Sequence, residues 1–211
     1  RKVGSFGVAE VFSCSPTKMM TSAEGGIIST NDVDLAAKIR LGRNYGVDAE
    51  YDCEFAGINA RPSELHAVLG LASLGKLDGD IERRMVLMER YRVGLEDLPG
   101  VSFQRLTQGG RTNGVYFSIR IDEKVAPITR DQLSRALEAE NVQTRKYYMP
   151  LHWQKVYLEE GREFVENLEA TEQAARNYLT LPLFSHMTES QVDTVCSAIG
   201  RIFHYGEKVA A

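Results

Sequence analysis

Apolar and polar positions change period several times along the chain, and each change marks an element. Glu10-Val11-Phe12 is a short apolar strand candidate. Gly25-Gly26 lets the backbone turn tightly before the β-branched run Ile27-Ile28-Ser29-Thr30, a second strand. Asn31 is the expected N-cap of a helix with Asp32 and Asp34 in its first turn, where the dipole favours them. Val33, Leu35, Ala36 and Ile39 give that helix an apolar side, and Gly42 and Gly46 bracket its end. Residues 47–61 are polar and irregular, and Pro62 suits the first turn of the next helix. A long helical pattern follows. Leu74, Leu77, Ile81, Met85, Met88 and Leu95 recur at spacings of three, four and seven, the mark of a core or subunit-interface stripe rather than a cofactor box. Gly75 and Gly79 weaken its middle and predict a kink or break there.

Past Pro99-Gly100 the character shifts. Val115, Phe117, Ile119 and Ile121 alternate with Tyr116, Ser118 and Arg120, as in a half-buried strand. Thr129 with Gln132 forms a capping box ahead of Leu133 and Leu137, and Thr188 with Gln191 repeats it before Val192, Val195, Ile199 and Ile202. A further strand is expected over 142–148. Helices mixed with a small antiparallel sheet predict an α+β domain in this half. The expected boundary lies near residue 85, giving segments 1–85 and 86–211.

Composition removes several function classes. Net charge is −4, which argues against a general nucleic-acid binder with its basic face. Cys14, Cys53 and Cys196 are odd in number and far apart, which fits a reducing compartment rather than a disulfide framework. No apolar run approaches the ~18 residues that cross a bilayer, and the N-terminus lacks a signal-peptide pattern, so no membrane role is expected and the cytoplasm is the default location. His66, His186 and His204 are lone histidines without ligand spacing, so no metal site is expected. Arg1 in place of an initiator methionine reads as a chain that is incomplete.

The chemistry concentrates in one segment. Lys18 lies in Phe12-Ser13-Cys14-Ser15-Pro16-Thr17-Lys18, ahead of Glu24-Gly25-Gly26 and Ser29-Thr30. A lysine amine forms Schiff bases with aldehydes once deprotonated, and hydroxyls with backbone amides suit a phosphate. Desolvated, cationic surroundings are expected to favour the neutral amine. Taken alone, Lys18 reads as an exposed lysine in a polar loop. Cys14 reads either as a reactive thiol or as a small buried side chain.

The whole pattern is more specific. Phe12-Ser13, Thr17-Lys18, Ala23-Glu24-Gly25-Gly26 and Ser29-Thr30-Asn31-Asp32 resemble the lysine segment of the DegT/DnrJ/EryC1/StrS family of pyridoxal-phosphate-dependent sugar aminotransferases. The likeness continues through Arg40, Arg43-Asn44-Tyr45-Gly46, Gly57-Ile58-Asn59-Ala60-Arg61 and Ala67-Val68-Leu69-Gly70-Leu71-Ala72-Ser73-Leu74. It runs on to Tyr147-Tyr148-Met149-Pro150-Leu151-His152 and Leu179-Thr180-Leu181-Pro182-Leu183.

That resemblance implies an α/β architecture: part of an aspartate-aminotransferase-type (fold type I) large domain followed by a small α+β domain with an antiparallel sheet. It implies transamination of a nucleotide-linked keto-sugar with an amino acid, glutamate, as donor. Lys18 would form the imine with pyridoxal 5'-phosphate and act as general base of the 1,3-proton shift. Ser13 would contact the cofactor phosphate, and Asn59 would reach it from the second subunit of a homodimer with shared active sites. His152 and Arg61 would approach the sugar-nucleotide. Residue by residue, Asn59 could instead be a turn residue capping the next helix, and His152 a partly buried loop histidine. Lys18 argues against the dehydratase branch of the family, where a histidine is expected. Ser15 stands where many relatives carry an aromatic or histidine, which bears on substrate preference. The chain would be the C-terminal portion of such an enzyme, with the aspartate that pairs with the pyridinium nitrogen supplied from upstream. A truncated, non-catalytic dimerisation or binding module is the alternative.

Overall fold

A computed structural model describes residues 1–106, 108–158 and 167–210, the last four by backbone alone. The chain divides into two compact units, Arg1–Asp80 and Ile81–Ala211.

The first unit opens with an antiparallel hairpin of β1 (Ala9–Ser13) and β2 (Gly26–Thr30), in register from Ala9 opposite Thr30 to Ser13 opposite Gly26. Helix α1 (Val33–Gly42) follows. Its N-cap is Asp32, not Asn31: the carboxylate accepts the Asp34 and Leu35 N–H groups, each at 3.0 Å. Thr30 explains the one-residue delay. Its hydroxyl donates to the Val8 carbonyl at 2.7 Å and accepts the Asp32 N–H at 3.0 Å, holding the chain extended past the strand end. Helix α2 (Glu64–Leu95) contributes its residues up to Asp80 to this unit. Pro62 lies before the helix rather than in its first turn. Ser63 takes the cap position, accepting the Ala67 N–H on its carbonyl at 3.0 Å and the His66 N–H on its hydroxyl at 3.4 Å. The helix runs unbroken through Gly75 and Gly79. Among the described residues of this unit, Cys14 is the one buried hydrophobic side chain.

The second unit has a true core. Its sheet has the order β3–β4–β5, from Val101–Phe103, Phe117–Ile121 and Tyr178–Leu181, antiparallel throughout. The central strand buries Phe117, Ile119 and Ile121 and leaves Ser118 and Arg120 half-exposed, the alternation its sequence carries. Helix α3 (Arg130–Ala139), a 3₁₀ turn (Leu151–Trp153), α4 (Lys155–Leu158), α5 (Glu169–Asn177) and α6 (Glu189–Ala210) complete the unit. Leu133, Leu137, Val192, Ile199 and Phe203 pack with the strands.

From α2 the core takes Leu87, Tyr91 and Leu95, spaced four apart. Of the predicted stripe only Leu95 is fully buried, Met88 packs at the edge, and Leu74 is 54% exposed. Tyr91 shifts the buried face. Its ring stacks on Phe117 with centroids 5.2 Å apart, and its hydroxyl donates to the Pro182 carbonyl at 3.0 Å, satisfying the polar end of a buried aromatic. Burial pushes this phenol's pKa above its ordinary value. The strand expected over 142–148 is absent. Arg145 alone pairs with β5, exchanging both backbone bonds with Thr180 at 3.0 and 2.8 Å. Beyond it the Tyr147 and Tyr148 rings stack on each other at 4.3 Å and edge-on to Tyr116, which takes the chain off the sheet edge.

Both capping boxes form. Thr129 Oγ1 accepts the Gln132 N–H at 3.2 Å while Gln132 returns a bond to the Thr129 N–H, and Thr188 with Gln191 does the same. Thr129→Ala is therefore expected to destabilise the second unit by about 0.5–2 kcal/mol in denaturant unfolding, and Thr129→Asn by much less. Among the described residues no helix is long and apolar enough to cross a membrane.

Candidate active site

Lys18 sits at the corner of a loop that the first unit fixes at several points. The Cys14 N–H donates to the Gly25 carbonyl at 2.9 Å, continuing the β1–β2 ladder one rung. Pro16, with its preset φ, then helps close a tight turn in which the Lys18 N–H donates to the Ser15 carbonyl at 3.0 Å. The Cys14 carbonyl accepts twice, from the Ser22 N–H at 2.9 Å and the Thr21 hydroxyl at 3.1 Å. The Thr21 N–H donates to Ser73 Oγ on α2 at 3.0 Å. Cys14 is 3% exposed beneath the loop, so it packs as a small hydrophobe and is shielded from reagents.

On the outer side lie the polar groups. Ser13 Oγ and Ser15 Oγ are 3.2 Å apart, and the Ser15 N–H points at Ser13 Oγ at 3.4 Å. Ser13 and Lys18 are both exposed. The desolvated surroundings expected for Lys18 are thus not supplied by these residues. The donor set nevertheless fits the cofactor: paired hydroxyls and a turn amide suit a phosphate, and a primary amine on the same rigid turn suits an aldehyde.

A second cluster forms where residues 57–60 lace onto the end of α1. The Tyr45 N–H donates to the Ile58 carbonyl at 3.0 Å, the Ile58 N–H to Gly42 at 2.8 Å, the Gly57 N–H to Tyr45 at 3.1 Å, and the Ala60 N–H to Arg43 at 2.9 Å. The chains approach so closely that a Cβ on Gly46 would lie 1.8 Å from the Phe55 carbonyl oxygen, and one on Gly57 would lie 2.2 Å from the Gly46 nitrogen. This lacing seats Asn59 opposite Asn44, exposed. Asn59 does not cap α2, because Ser63 does. Arg61 is also exposed, its guanidinium 5.4 Å over the Tyr45 ring.

His152 belongs to the second unit, on the 3₁₀ turn. Its side chain is 15% exposed, and Nε2 lies 3.1 Å from Glu172 Oε1 on α5. Glu172 also accepts from Arg176 Nη2 at 2.9 Å. The bond from His152, the Arg176 charge and the Trp153 indole hold the Glu172 carboxyl below its usual range. Sequence reading missed Glu172. It stands 20 residues from His152, and nothing local marks it apart from other surface glutamates. It missed equally the hydroxyl of Ser73 that anchors the lysine loop.

Residues 1–200 match the DegT/DnrJ/EryC1/StrS aminotransferase family, and the chain belongs to it. It is 32% identical to the spore coat polysaccharide biosynthesis protein SpsC of Bacillus subtilis (strain 168), over 94% of this chain and 54% of that protein. It is 31% identical to the GDP-perosamine synthase of Caulobacter vibrioides, over 96% of this chain and 54% of that one. The crystal structure of DesI in the presence of its TDP-sugar product superposes with a TM-score of 0.87 at 36% identity, covering 99% of this chain and 53% of DesI. The chain spans about half the length of the curated relatives it matches. Its fold is the corresponding portion of a fold type I pyridoxal-phosphate aminotransferase, with helices and antiparallel sheets as the sequence predicts.

Proposed function

We propose that this protein takes part in pyridoxal-phosphate-dependent transamination of a nucleotide-linked keto-sugar, with an amino acid, glutamate, as donor. The observation that carries the reading is the Lys18 turn, pinned to β2 and α2 and edged by the Ser13 and Ser15 hydroxyls, in a chain of this aminotransferase family. When bound, pyridoxal phosphate supplies an electron sink for the charge left when a proton leaves the amino-bearing carbon. The chain's residues supply the rest. The Ser13 hydroxyl donates to the phosphate. Lys18 Nζ would be the amine that holds the cofactor's aldehyde group, and the same amine would serve as the base that takes up and returns the proton. Asn59 reaches the phosphate from a second copy of the chain, and His152 and Arg61 receive the sugar-nucleotide.

Pairing of two copies also accounts for apolar surface on the first unit. Leu65, Val68, Leu69, Leu71 and Leu74 are all exposed along its part of α2. Exposed apolar patches of this kind mark interaction surfaces. Sedimentation velocity is expected to show a homodimer, and Leu69→Lys to shift it toward monomer. A wild-type monomer at micromolar concentration would remove the shared site.

The exposure of Lys18 and Ser13 favours one second reading, a non-catalytic dimerisation or binding module. Titration with pyridoxal phosphate separates the two. A saturable visible imine band that depends on Lys18 supports the enzyme; labelling scattered over surface lysines supports the module.

A further inference from the structure

One carboxylate organises the turn that carries His152. Glu172 binds His152 Nε2 through Oε1 and Arg176 through Oε2. Arg176 in turn lies 5.4 Å over the Trp153 ring, and Trp153 stands edge-on to His152 at 5.8 Å. Four side chains from the 3₁₀ turn and α5 thus close on one another, with Glu172 at the centre.

An ionised carboxylate only accepts hydrogen bonds, so the hydrogen between the two groups belongs to the imidazole. Neutral His152 is then the Nε2–H tautomer, and its Nδ1 presents a lone pair. A lone pair in that place accepts from a hydroxyl, the commonest donor on a sugar. We infer that Glu172 is a positioning residue for substrate binding: it fixes the tautomer and ring orientation of His152 so that Nδ1 accepts a hydroxyl of the nucleotide-linked sugar. The inference rests on the reading of His152 as a sugar-nucleotide ligand.

The test is a long-range 1H–15N correlation spectrum of the 15N-histidine-labelled, pyridoxal-phosphate-loaded protein. It is recorded at about pH 8.5, two units above the ordinary imidazole value. His152→Gln assigns the signal. The wild type should show the Nε2–H tautomer. Glu172→Gln should retain it, since the amide oxygen can accept the same hydrogen, and Glu172→Ala should show a mixture. TDP-glucose and GDP-mannose are the probes of binding, the better ligand being used throughout. It should shift the wild-type Nδ1 signal, with affinity falling about tenfold in Glu172→Ala and less than about threefold in Glu172→Gln. An Nδ1–H tautomer in the wild type, or an unchanged Nε2–H tautomer in Glu172→Ala, overturns the inference alone. Should the alanine variant not fold, an Nδ1–H tautomer in Glu172→Gln does so. A wild-type Nδ1 signal that neither nucleotide-sugar moves overturns the reading of His152, and the inference with it.

Discussion

Lys18→Ala is expected to abolish the visible absorbance that pyridoxal phosphate acquires on this protein and to lower transamination by about 10⁴-fold or more. The size follows from the two tasks assigned to one amine. It would hold the cofactor aldehyde, and it would serve as the base for the proton transfer. No other group on the turn can do either: Ser13, Ser15 and Thr17 are hydroxyls whose protons leave far less readily, and the Cys14 thiol is buried. Lys18→Arg keeps the charge and much of the length but offers a guanidinium that stays protonated, so it should behave like alanine. The turn itself should survive either change. Its bonds run through the backbone of Cys14, Ser15, Lys18 and Ser22 and the hydroxyls of Thr21 and Ser73, and none uses the lysine side chain. Folding is therefore separable from chemistry, and unchanged far-ultraviolet dichroism should accompany the lost band. A variant that keeps the band at full intensity, with one equivalent of cofactor, would reassign the imine to another lysine.

The lysine turn was legible because its signals are local. An apolar strand on one side and a β-branched run on the other, with proline at the turn and a glycine pair at its exit, lie within one short stretch, and both strands form there, paired from Ala9–Thr30 to Ser13–Gly26. The capping boxes at Thr129 and Thr188 were legible for the same reason, since both partners sit three residues apart. Longer-range decisions were not. Asn31 and Asp32 are both competent caps, and the choice fell to a Thr30 hydroxyl bonded to Val8, 22 residues away. The stripe read on α2 left out Leu87 and Tyr91, because Tyr91 joins the core through Phe117 and the Pro182 carbonyl, neither visible from helical spacing. Strand β5 follows α5 directly, Tyr178 serving as both C-cap and first strand residue, so no turn residues announce it. The candidate site divides along the same line. Lys18 and Ser13 are marked by a continuous motif that resembles the family's lysine segment, whereas Glu172 acquires its place only by reaching across to His152.

The second large effect concerns a residue with no side chain. Gly46→Ala is expected to open the lacing between α1 and residues 53–60 at a cost of roughly 3–6 kcal/mol. Gly46 is buried with φ +77°, a left-handed conformation that costs an alanine about 1–2 kcal/mol before any contact is considered. The added Cβ would then lie 1.8 Å from the Phe55 oxygen and 2.9 Å from the Phe55 carbonyl carbon. Both are backbone atoms and cannot rotate aside. The segment 53–60 must retreat, loosening the bonds from Glu54 to Gly46, Gly57 to Tyr45, Tyr45 to Ile58 and Ile58 to Gly42, each worth about 1 kcal/mol net. Asn59 rides on that segment, so, on the proposed role of Asn59, cofactor affinity should fall as well. Hydrogen exchange at Tyr45, Glu54, Gly57 and Ile58 should accelerate together, while Ile119 in the second unit keeps its protection. Gly75→Ala supplies the opposite sign. It lies inside α2 with nothing within 4 Å of its new methyl, so the change removes chain entropy from the unfolded state and should stabilise by about 0.5–1 kcal/mol. Equal effects at the two glycines would mean that the close approach of Gly46 to Phe55 does not hold the Asn59 segment.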